Sequence, residues 1–111
     1  MHMRRWKKSK PNMVFKIDYS DLFIDDLNRA INYISKELCN PQAAKELYER
    51  IDQSLSLLEN YPYSCSIVPN AFIPRKELRR KVISNYSLFY QIDEQNKIVL
   101  VLRLILSRRT K

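Results

Sequence analysis

The 111-residue chain contains no glycine, one histidine and two cysteines. At average usage a chain of this length carries about eight glycines, so their absence removes mechanisms built on a glycine-rich phosphate cradle. Neither a P-loop nor a dinucleotide fingerprint can form. His2 is alone, and Cys39 and Cys65 are separated by a predicted helix and loop. That spacing offers no metal-ligand set and no Cys/His nucleophile pair, so zinc, Ser-His-Asp and Cys-His chemistry are disfavoured and no cofactor is implied. Long apolar runs are missing as well. The longest, Ile98 to Leu102, is far too short to cross a bilayer, and no membrane partner is expected. The basic stretch Met1 to Lys10 is not followed by an apolar segment and cleavage site, which excludes a secretory signal. Two thiols without an export signal point to a reducing cytoplasm, where a Cys39–Cys65 bridge is disfavoured.

What is present is charge, unevenly placed. The formal net charge is +8, with 45% hydrophobic and 29% charged residues, the composition of a globular domain rather than a disordered chain. Arg4, Arg5, Lys7, Lys8 and Lys10 form a basic head; Arg75, Lys76, Arg79, Arg80 and Lys81 form a cluster broken by Glu77; Arg103, Arg108, Arg109 and Lys111 form a tail. Between head and cluster the chain is acidic on balance, from Asp21 through Asp52 to Glu59. An acidic helical side and a basic side follow. The basic side suits a polyanion such as RNA, or an acidic protein surface; a merely solubilising surface is the plainer alternative.

Residues 1–12 are expected to be a disordered basic extension, and 13–111 one domain. Phe15, Ile17 and Tyr19 alternate with polar residues, the period of a half-buried strand. Ser20 is an N-cap signature, and Leu27, Ile31, Ile34 and Leu38 predict a helix reaching Cys39. Asn40-Pro41 caps and starts a second helix, whose apolar stripe is Ala44, Leu47, Ile51, Leu55 and Leu58. Tyr61-Pro62 ends it, and the two helices form an antiparallel hairpin. A loop follows to Pro74, with a short extended piece around Ile67-Val68. Leu78 to Ile83 reads as a strand, Ser84-Asn85 as a turn with positive φ assigned to Asn85, and Tyr86 to Ile92 as an alternating strand. Ile98 to Ile105 is apolar on both faces, as a central strand covered on each side would be. The fold class is α+β, in the order β-α-α-β-β-β, with a helical hairpin on a curved, mainly antiparallel sheet.

In this order the residues resemble the RelE/ParE family of toxins from bacterial type II toxin–antitoxin (plasmid stabilisation) systems. The resemblance runs from Phe15 to Arg109. It is carried by Tyr33-Ile34, by Leu38-Cys39-Asn40-Pro41-Gln42-Ala43-Ala44, by Leu58-Glu59-Asn60-Tyr61-Pro62, by Leu78-Arg79-Arg80, by Asn85-Tyr86-Ser87-Leu88-Phe89-Tyr90, and by Leu102-Arg103 with Ser107-Arg108-Arg109. It implies a small sheet with two helices on one face, and a cognate antitoxin that keeps the toxin silent. It also implies one of two activities, ribosome-dependent mRNA cleavage or poisoning of DNA gyrase, since shared fold does not fix function.

Cleavage through a ribose 2′-OH needs a base, an acid and cations at the scissile phosphate. Arg108 matches a basic position of the nuclease branch, and Arg79, Arg80, Glu77 and Tyr90 are the remaining candidates for such a site. Tyr86 and Tyr90 either stack on a base or belong to the core with wet hydroxyls. Several positions depart from the nuclease pattern. Ser87 stands where that branch tends to carry arginine, Leu106 where many members have His or Gly, Thr110 replaces a common Asp, and no C-terminal tyrosine precedes Lys111. The long hairpin and the Asn-Pro-x-Ala-Ala junction resemble the ParE branch, which needs only a binding surface. The expected function is therefore a non-catalytic toxin acting on a target such as DNA gyrase, with an mRNA endoribonuclease or an inactive antitoxin-binding homologue as alternatives. Target contact is assigned to Arg103, Arg108, Arg109 and Lys111, with Arg79 and Arg80 second. Arg103, in a buried strand, is alternatively a structural group paired with Asp93 or Glu94. Antitoxin contact is assigned to Arg75, Lys76, Arg79, Lys81 and Phe72, next to open sheet-edge backbone. A dimer and a hetero-oligomer with antitoxin both fit this scheme.

Overall fold

The computed structural model describes residues 15–69 and 76–107. Strand β1, Lys16–Tyr19, leads into helix α1, Asp21–Asn32. Ser20 makes the junction: its Oγ accepts from the Phe23 amide at 3.0 Å, capping the helix, and donates to the Leu102 carbonyl at 2.7 Å. Phe23, Leu27 and Ala30 form the buried face of α1. The helix was expected to continue to Cys39. Instead it widens into a π-helical turn, Tyr33–Glu37, where the Leu38 amide reaches back to the Tyr33 carbonyl. Cys39 then adopts φ 50°, a left-handed position usually filled by glycine, which this chain lacks. The turn delivers the chain to Asn40, whose Oδ1 accepts from the Ala43 amide at 3.1 Å.

Helix α2, Pro41–Asn60, starts on a proline whose missing N–H costs nothing there. Ala44, Leu47, Ile51, Leu55 and Leu58 are buried along it, as their spacing predicts. A 3₁₀ turn, Pro62–Ser64, precedes four strands: β2 Ser66–Val68, β3 Leu78–Ile83, β4 Tyr86–Asp93 and β5 Ile98–Leu106. The short β2 is the extended piece expected at Ile67-Val68. At the β3–β4 turn the positive φ falls on Ser84 (56°), not on Asn85.

The five strands form one sheet in the order β1-β5-β4-β3-β2. Strands β2 to β5 pair antiparallel, and β1 pairs with β5 in parallel. One face packs on the helices. There Leu88, Tyr90, Val99, Val101 and Leu104 meet Phe23, Leu27, Ile51 and Leu58 in a single core, each fully buried aliphatic side chain contributing roughly 1.5–3 kcal/mol. The other face is only partly covered: on β5, Ile98 and Leu100 are half-buried and Ile105 is exposed. The expectation of a strand covered on both sides thus holds for its neighbours in the sheet but not for its two faces. Among the described residues no helix is long and apolar enough to cross a membrane.

Candidate functional site

Residues paired across antiparallel strands project from the same side of a sheet. Arg80 pairs with Phe89 and Phe89 with Arg103, so three strands set an arginine, a phenylalanine and an arginine in one row. Phe89 alternates with the core residues Leu88 and Tyr90, which places the row on the face away from the helices. The adjacent row is Val82, Ser87 and Ile105. Val82 is 61% exposed, and the Ser87 and Ser107 hydroxyls lie 2.9 Å apart. Guanidinium groups beside an aromatic ring can hold phosphates or carboxylates and stack on planar groups.

The two arginines of the row differ. Arg80 is exposed. Arg103 is held by Asp26 of α1, with Nε to Oδ2 at 2.7 Å and Nη2 to Oδ1 at 3.1 Å. These bonds raise the guanidinium's pKa further, more than burial lowers it. Asp26 Oδ2 also accepts from the Leu104 amide at 3.0 Å. The cause is topological. β1 ends at Tyr19, opposite Val101; beyond that point β5 keeps β4 on one side but has no strand on the other, and Ser20 and Asp26 take over that edge. A register shift at Phe89/Tyr90, opposite Leu102, marks the same place. The acidic partner expected from the hairpin is therefore corrected to Asp26. Asp93 instead accepts from the Asn96 amide and side chain, and Glu94 pairs with Lys97 at 3.1 Å.

Arg79 is also anchored. Its Nη1 donates to the carbonyls of Cys65 (2.7 Å) and Tyr63 (3.3 Å), its Nη2 lies 3.6 Å from Glu77, and its guanidinium sits 5.2 Å from the Tyr63 ring centre. With a side chain only 13% exposed, it ties β3 to the chain segment leaving α2. Glu77 is exposed at the start of β3. Tyr90 is fully buried in the core, and its hydroxyl donates to the Pro62 carbonyl at 2.7 Å. Burial, and next its hydrogen bond with Cys65, push its pKa well above the ordinary phenol value. The hydroxyl is thus bonded to protein rather than wet. Lys76 is exposed and Lys81 half-buried. Phe72, Arg75, Arg108, Arg109 and Lys111 lie outside the described residues. Both cysteines are free thiols, and no cluster of three potential metal ligands occurs among the described residues.

Two features escaped sequence reasoning. Phe89 was legible only as a member of an alternating strand; its position between two arginines follows from register. The second is a concavity between α1 and α2, a groove of about 570 Å³ whose walls include Ile31, Ala44 and Tyr48. Nothing in helical periodicity signals where such a groove opens.

A family model described as the ParE toxin of the type II toxin–antitoxin system parDE matches residues 17–110. The chain belongs to the ParE toxin family. Among solved structures it is similar to a chain of the chromosomal ParDE toxin–antitoxin system from P. aeruginosa, with 14% identity, 86% of this chain and 98% of the other covered, and a TM-score of 0.68. It is likewise similar to a chain of the archaeal RelE–RelB complex from Pyrococcus horikoshii, with 17% identity, coverages of 88% and 100%, and a TM-score of 0.61. At such identities the likeness is one of fold, shared by ParE and RelE chains alike. No curated protein matches the sequence.

Proposed function

We propose that this ParE-family toxin acts as a binding poison, most simply of DNA gyrase, and is silenced by a cognate antitoxin. The observation that carries the reading is how the candidate nuclease groups are engaged. Arg79 is tied to two main-chain carbonyls and Tyr90 donates to a third from inside the core. Neither is poised to move a proton or follow a phosphate through a reaction. Ser87, at the position where the nuclease branch tends to carry arginine, is buried and bonded to Ser107. A binding poison needs none of these. Its contact surface is the exposed Arg80 with the basic tail of Arg108, Arg109 and Lys111; Arg103 supports that surface through Asp26, and Arg79 through Tyr63 and Cys65.

The antitoxin reading draws on the structural neighbours, which come from a ParDE system and a RelE–RelB complex. The groove along Ile31, Ala44 and Tyr48 suits the apolar side of a partner helix. Lys76 and Lys81 supply charge near the β2 end of the sheet, and Arg75 and Phe72, outside the described residues, are assigned to the same contact. Gyrase supercoiling assays with purified toxin test the target: inhibition with accumulation of cleaved DNA is expected, and unaffected supercoiling together with new 5′ ends in ribosome-bound message overturns the proposal. Co-expression with the neighbouring small reading frame should yield a stable complex. The nuclease remains the second reading because the row of Arg80, Phe89 and Arg103 would also suit a single-stranded RNA.

A further inference from the structure

We draw no further inference here: the strongest candidate, the surface patch of exposed apolar side chains Leu57, Tyr61, Tyr63 and Ile67 at the passage from α2 to the edge strand β2, carries nothing because nothing in the structure shows what covers it.

Discussion

Arg103 and Asp26 stand 77 positions apart and meet in a two-point ion pair, with a third bond from the same carboxylate to the Leu104 amide. One side chain of α1 thereby completes the edge of the strand that β1 leaves unfinished. Asp26→Ala removes all three bonds and orphans a main-chain amide and a guanidinium together. It should destabilise the fold by about 2–4 kcal/mol, and Arg103→Ala by less, because Asp26 then still serves Leu104. Urea unfolding of both variants checks the order; Arg103→Ala as the more damaging change would contradict it.

Tyr90 predicts a pH dependence. Its phenol is pushed above the ordinary value by burial, and that of Tyr19 by burial and then by the charges of Glu59 and Asp52. A group whose folded pKa is raised gives stability that is full below the unfolded value, about 10, and is lost as pH rises toward the folded one. The urea midpoint should therefore be flat up to about pH 9.5 and fall beyond it. Tyr90→Phe should lower stability by about 1 kcal/mol at neutral pH, through the lost bond to Pro62, and flatten the alkaline decline.

Arg79 ties β3 to the Tyr63 and Cys65 carbonyls. Arg79→Ala should release the three-residue strand β2, read as faster amide exchange across Ser66–Val68 with exchange in β4 and β5 nearly unchanged. Arg79→Lys should restore little, since a point charge cannot reproduce the forked contact or lie flat on the Tyr63 ring.

Arg80 separates function from stability. It is exposed, so Arg80→Ala should change folding free energy by no more than about 0.5 kcal/mol. If the outer face contacts the target, the variant should nonetheless slow growth less than wild type on induction at equal protein level. Unchanged toxicity removes Arg80 from the contact surface.

Asn40 caps α2 through Ala43. Asn40→Ala should cost about 1 kcal/mol, and Asn40→Asp should preserve the cap; thermal unfolding of the pair measures the difference.

The sequence carried its local instructions plainly. Ser20 and Asn40-Pro41 fix helix starts by bonds three residues away, and the α2 stripe lands buried because period alone decides which face meets the sheet. The π-helical turn was not legible, because Ile31, Ile34 and Leu38 fit a straight helix equally well. The candidate site was legible in composition but not in allegiance. Arg79, Arg80 and Arg103 read as one class of basic residue, yet two are held by groups distant in sequence: carbonyls, which carry no sequence signal, and one carboxylate among twelve. Tyr90 was legible as a core residue, but its partner Pro62 was not, since any carbonyl near the end of α2 would have served.

The order β1-β5-β4-β3-β2 has a consequence in time. Strand β5, second in the sheet, is the last of the five to be synthesised, and β1 has no strand to join until it appears. The contacts that close this gap, such as Ser20 to Leu102, span 82 positions, and such long-range pairings form late. The row of Arg80, Phe89 and Arg103 is likewise incomplete before then. A nascent chain still on the ribosome thus lacks the assembled face, and a target or an antitoxin that reads it first meets it only as synthesis of the domain nears its end.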